Sequence, residues 1–273
     1  TMIRQMITHD DITQLPKIRF TGFSDIKPMP GAELIEALAD SYHHVGLDDT
    51  IVVTRSNKRA NIFNQGIRNM VLDREEELSQ GDILMIVKNN YYWMEEERKK
   101  MKEKDNQVPS NEIPAFLANG DRAKVLKVRR CIDLYGFRFA TLLLQFPDYG
   151  NYELEATVLL DTLMSEAPAL THDQQEQLFR QIEEDYQDVP LKADRMKAIR
   201  QDQFYNALQV KFAYAVTCHK AQGGQWAHVY VDQGYMTDDM LTPDYIHWLY
   251  TAFTRATEML YLVNWPETQI ETS

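Results

Sequence analysis

The chain has 273 residues, 44% hydrophobic and 26% charged, which suits a soluble globular protein with room for one large domain or two smaller ones. No apolar run reaches the roughly 18 residues of a membrane span, and residues 1–10 are too polar for a signal peptide, so a cytoplasmic chain with no membrane partner is expected. A net charge of −12 excludes nucleic-acid binding by bulk charge, so any strand contact must rest on a local cationic track.

Cys131 and Cys218 lie far apart and cannot make a disulfide framework. No Cys/His spacing suits zinc, so reduced thiols and no metal ligands are expected.

Residues 1–30 read as irregular, with Pro16, Pro28 and Pro30 as breakers and one short strand at 18–23. A helix follows from Gly31, with Leu34, Ile35, Leu38 and Tyr42 on one face, and Gly46 stops it. Residues 50–54 are apolar and β-branched between polar flanks, the pattern of a buried parallel strand. A helix over 55–68 comes next, capped by Ser56 or Asn57.

The texture changes near Gly81. Strands are predicted at 81–88, 123–130, 138–146 and 153–160, with a turn at 118–121. Their close spacing without helices between them suggests a small barrel or curled sheet. Residues 95–111 are densely charged and read as a solvated loop or short helix.

Helical texture returns at Thr171, a good N-cap, and again over 191–208. Strands at 210–216, 227–231 and 259–263, with a helix over 243–256, complete an α/β layer.

Two segments carry candidate chemistry. Residues 216–226 leave one strand as Thr217-Cys-His219-Lys220-Ala-Gln-Gly223-Gly224-Gln225 and arrive at the next. A polar turn at the end of a buried strand is where open α/β sheets place ligands. Residues 249–256 place Arg255 at the end of a largely apolar helix. Each residue also has a plainer reading. The glycines make a flexible turn, His219 a hydrogen-bonded turn residue, and Arg255 a cation favoured by the helix dipole.

Together, Thr-x-His-Lys-Ala-Gln-Gly and Tyr-Thr-Ala-Phe-Thr-Arg-Ala resemble motifs V and VI of superfamily 1 DNA helicases, closest to the RecD and Dda branch, whose C-terminal part is UvrD-like. Residues 51–64 resemble that branch's motif IV region. The resemblance implies a RecA-like, P-loop-NTPase-type parallel sheet (domain 2A, residues 1–80 and 171–273) with an inserted SH3-like β-barrel (domain 2B, residues 81–170). It implies an ATP-dependent DNA helicase that translocates 5′ to 3′, similar also to the exonuclease V alpha subunit.

In that likeness Arg255 is the catalytic arginine finger. Gly223, Gly224, Gln225 and Arg55 match nucleotide contacts; Arg59 is the alternative to Arg55 for a second cation. Thr217, His219, Lys220 and Asn57 match strand contacts. Gln225 stands where many relatives have a ribose-binding glutamate; it can hydrogen-bond a hydroxyl but carries no charge.

No Gly-x-x-x-x-Gly-Lys-Ser/Thr string occurs in the chain. ATP and Mg2+ are therefore expected to be held mainly by an N-terminal RecA-like lobe, and this chain alone is expected to be inactive. Single-stranded DNA, that lobe and nuclease subunits are the implied partners, although no nuclease site is seen. The competing reading is a non-enzymatic DNA-binding or protein-docking module.

Tyr91, Tyr92 and Trp93 either stack on bases or anchor the barrel. Lys124, Lys127, Arg129 and Arg130 either touch phosphate or form a solvated face.

Overall fold

The computed structural model describes residues 2–9, 14–103 and 113–271. Two compact units emerge: Thr1–Glu75 with Tyr214–Ser273, and Glu76–Ala213.

The chain opens in the first unit with α1 (Met2–His9), β1 (Ile26–Met29), α2 (Leu34–His44), β2 (Thr50–Thr54) and α3 (Asn57–Gly66). It crosses into the second with β3 (Ile83–Ile86), α4 (Tyr92–Glu103), β4 (Arg122–Leu134), β5 (Phe137–Phe146), β6 (Tyr152–Leu159), α5 (His172–Asp185), α6 (Lys192–Arg200) and β7 (Leu208–Phe212). It returns with β8 (Ala215–Thr217), β9 (Trp226–Asp232), α7 (Pro243–Phe253) and β10 (Ala256–Val263).

The first unit is a parallel sheet ordered β1-β10-β9-β2-β8. All five residues of β2 are buried, as its unbroken β-branched run requires. Ser56 caps α3, its Oγ accepting from the Arg59 N–H at 3.2 Å.

The strand expected at 18–23 is reduced to one bridge, Ile18 to Ile270. The strand at this end is β1, which contains Pro28. Proline lacks an N–H, so it is tolerated on a sheet edge, and β1 is the edge strand.

The second unit is a closed barrel, β3-β4-β5-β6-β7. An α/β parallel sheet interrupted by a small barrel is therefore the architecture. The insertion is longer than the expected 81–170, because β7 closes the barrel between β3 and β6. The single strand expected over 210–216 is in fact two. Its first part is the last stave of the barrel, and its second part begins the sheet edge.

The helix expected over 191–208 stops at Arg200. Asp202 then accepts from the backbone N–H groups of Phe204 and Tyr205 at 2.8 and 3.0 Å, turning the chain. Thr171 and Gln174 form a reciprocal capping box on α5. Leu178 and Ile182 of α5, with Ile199 of α6, pack on Phe137, Phe139 and Leu159. The charged run expected over 95–111 is helical to Glu103; residues 104–111 lie outside the described residues. No helix among the described residues is long and apolar enough to cross a membrane.

One buried polar contact ties α2 to the sheet. Ser41 Oγ sits 2.8 Å from His228 Nδ1 and 2.7 Å from the Tyr230 hydroxyl, which donates to the Ala37 carbonyl at 2.8 Å. Burial pushes the His228 pKa below the ordinary histidine value. The folded state therefore resists a proton that the unfolded chain accepts near pH 6.5. Stability from this group is intact above about pH 6.5 and is lost as pH falls toward the lower folded pKa. His228→Gln should therefore flatten the fall in Tm between about pH 7.5 and 5.5. Equal pH slopes in the two proteins would refute this.

Candidate functional site

All five strands of the first unit run the same way, so its two ends differ in what they display. At the carboxyl end Thr54 pairs with Thr217 and with Asp232. The residues that follow these strands gather here: Arg55 and Asn57 after β2, and His219 and Lys220 after β8. The Cys218 N–H donates to the Thr54 carbonyl at 3.0 Å, joining the two segments.

The chain beyond Thr217 does not hang free. The N–H groups of Lys220 and Ala221 donate to the Thr217 carbonyl at 2.9 and 3.1 Å, making one helical turn. Ala221 is buried beneath it, while His219 is exposed and Lys220 half-buried. Burial pushes the Lys220 pKa below the ordinary lysine value.

Gly223 adopts φ +85°, the left-handed region glycine enters without strain. Gly224 is required for a different reason. A Cβ there would lie 2.3 Å from the Trp226 indole, closer than carbon atoms approach.

The loop ends at the amino end of β9. The Trp226 N–H donates to the Arg255 carbonyl at 2.9 Å, and Ala256 pairs with Trp226. The Arg255 guanidinium is held by three neutral acceptors at 3.0 Å each: the Thr251 carbonyl through Nε, the Gly224 carbonyl through Nη1 and Thr254 Oγ1 through Nη2. No carboxylate among the described residues pairs with it. Its position is therefore fixed while its charge is not cancelled, the condition for gripping an anionic oxygen. Gln225, next in sequence to Gly224, is exposed, and its side chain makes no hydrogen bond among the described residues.

The structure thus brings Gly223, Gly224, Gln225 and Arg255 together at one end of the loop. It brings Thr217, His219, Lys220 and Asn57 together at the other. Arg55, grouped from the sequence with the glycines, instead stands at the carboxyl end with Asn57. The reason is topological. A residue that follows a parallel strand emerges at its carboxyl end, whereas residues 223–225 precede β9 and lie at its amino end.

The two arginines of the motif IV region also separate by role. Arg59 binds Asp232 in a two-pronged pair at 2.8 and 2.7 Å, and Asp232 is only 2% exposed. That hydrogen-bonded pair raises the Arg59 pKa and spends its charge inside the protein. Arg55 has no carboxylate partner among the described residues. It is exposed, and its guanidinium lies against the Met236 sulfur and 5.6 Å over the Tyr245 ring.

Sequence reasoning missed Asn64. It is buried in α3 and reads both main-chain groups of Ala215: Oδ1 accepts from the N–H at 2.7 Å, and Nδ2 donates to the carbonyl at 2.9 Å. The helix buries Ala60, Asn61 and Asn64, so no apolar periodicity marked Asn64 in the sequence.

Cys218 is buried, and burial pushes its thiol up to about 11 despite the opposing pull of Arg255. It is a packed thiol and no nucleophile at neutral pH. Among the described residues no cluster of His, Cys, Asp and Glu is placed to hold a metal ion. Of the three aromatics at 91–93, Trp93 is buried and its Nε1 donates to the Asn206 carbonyl at 2.9 Å, whereas Tyr91 is 53% exposed.

A family model described as the UvrD-like helicase C-terminal domain matches residues 212–263. That stretch contains the whole loop, β9, α7 and Arg255. Among solved structures, the Pif1 helicase from Candida albicans is similar at 12% identity and a TM-score of 0.39. The match covers 82% of this chain and 47% of that one, so the chain spans about half the length of that helicase. No curated protein matches the chain.

Proposed function

We propose that this chain, which carries a UvrD-like helicase C-terminal domain at residues 212–263, is the part of an ATP-driven DNA translocase that supplies the arginine finger and the loop coupling it to a single strand. The single observation behind this reading is the state of Arg255. It is positioned by three neutral acceptors, one of them inside the loop, and has no counter-ion among the described residues.

Phosphoryl transfer builds negative charge on phosphate oxygens, and a fixed guanidinium offers two N–H groups to that charge. Arg255 does this, and Gln225 offers its amide to a ribose hydroxyl. A second lobe bearing a phosphate-binding loop would hold ATP and Mg2+, with the ion screening the phosphate charge.

At the other end of the loop, Lys220, His219, Thr217 and Asn57 meet the strand backbone. Arg55 belongs with them in this reading. Because the turn at 217–221 and the Arg255–Gly224 bond lie in one short segment, a shift at either end moves the other.

Strand binding tests the reading. The chain should bind a fluorescent oligothymidylate, and Lys220→Ala should weaken binding and lower the salt slope by about one. Binding indifferent to both salt and Lys220 would remove the strand from this loop. Strand binding without any hydrolysis, even when a phosphate-binding lobe is supplied, would favour the docking or adaptor module.

A further inference from the structure

The barrel unit holds a cavity that the reading above does not use. Its volume is about 180 Å3, and Lys88, Tyr91, Tyr92, Gln175, Tyr205 and Gln209 line it. Pockets that enclose a whole drug-sized ligand run to about 300–1,000 Å3, so this one suits a single planar ring system.

Its walls are firm. The backbone of Asn90 exchanges hydrogen bonds with Leu117 at 2.8 Å in both directions. The Asn90 side chain donates to the Asn206 carbonyl at 2.9 Å, and Trp93 Nε1 donates to the same carbonyl. Gln209 is only 8% exposed. Its Oε1 accepts from the Leu170 N–H at 2.9 Å, while its NH2 makes no hydrogen bond among the described residues. The Gln175 side chain likewise makes none. Both amides line the cavity, so each can supply a hydrogen bond to the edge of a ligand seated there.

Two further groups define the ligand. Tyr91 stacks on Phe116 at 4.8 Å between ring centroids and 26° between planes, yet remains 53% exposed. One face of the pair is thus left for another ring. Lys88 has no carboxylate partner among the described residues, so an acidic chain keeps one uncompensated cation at the rim.

A flat ring with hydrogen-bonding edges, attached to a single anion, is a nucleotide. We propose that this pocket takes one unstacked base of a bound DNA single strand, stacked on Tyr91 and read at its edge by Gln175 and Gln209, with the adjoining phosphate on Lys88. Base recognition by stacking and amide contacts is how single strands are held where they leave a helix. The inference rests on the strand-translocase reading but uses a separate set of residues.

The test uses the chain and a single strand with one 2-aminopurine. Binding should quench the probe. Tyr91→Ala should abolish the quench and weaken binding about 5- to 100-fold, with Lys88→Ala giving a smaller loss. Both positions are exposed, so the variants should keep the circular dichroism of the parent. Binding that responds to Lys220→Ala but not to Tyr91→Ala or Lys88→Ala overturns the pocket and leaves the translocase reading standing. Sensitivity to Tyr91 without sensitivity to Lys220 supports the pocket and removes the loop. A free nucleoside monophosphate bound as tightly as the strand, with the same Tyr91 dependence, overturns the strand as the ligand.

Discussion

Arg255→Ala, tested with the phosphate-binding lobe present, should lower strand-stimulated ATP turnover by about 1,000- to 100,000-fold, the range over which arginine fingers act. Binding of nucleotide and of strand should persist. The expectation follows from geometry. Three neutral contacts orient the guanidinium and none of them neutralises it. Removing it leaves the ground-state contacts of other residues in place and deletes an interaction that strengthens as charge develops, so the loss falls on kcat rather than KM. Arg255→Lys keeps the charge but loses the fork and should rescue little. Phosphate release and equilibrium nucleotide binding, measured on the same preparations, decide the matter. Turnover retained in Arg255→Ala would remove this residue from the finger role.

Asn64→Leu should destabilise the first unit by about 2–6 kcal/mol, from two buried main-chain groups left unpaired at about 1–3 kcal/mol each. β8 ends the sheet order and pairs only with β2, so the Ala215 N–H and carbonyl face away from the sheet. The Asn64 amide stands in for the absent neighbouring strand. Leucine keeps the same branched heavy-atom skeleton and is no smaller, so the penalty does not report a cavity. Denaturant unfolding gives the number, and an unchanged midpoint would show that the edge is satisfied in another way. The site should suffer as well, because β8 leads directly into the loop at Thr217.

The buried strands were readable because their chemistry is local. The run at 50–54 is β-branched, apolar and short, and β2 has those bounds. Caps were readable for the same reason: Ser56 and Thr171 act on N–H groups a few residues ahead of them. Residues whose partners come from distant parts of the chain were not readable in this way. Pro28 looked like a breaker because nothing local announces an edge strand. The apolar run at 210–216 looked continuous because hydrophobicity does not say which sheet will claim each half.

The loop and Arg255 belong to both accounts. Their residue types and order came from the sequence alone, since six specified positions in one motif and seven in the other survive without coordinates. That Arg255 bonds the Gly224 carbonyl, and that Arg59 is spent on Asp232 while Arg55 is not, required the fold. Charge availability depends on which carboxylate lies within reach, and reach is set by strand direction and pairing. The cavity between Lys88 and Gln209 makes the same point more strongly. Its residues are ordinary in sequence, and they become a site only because barrel closure brings the segment at 88–92 against α5 and β7.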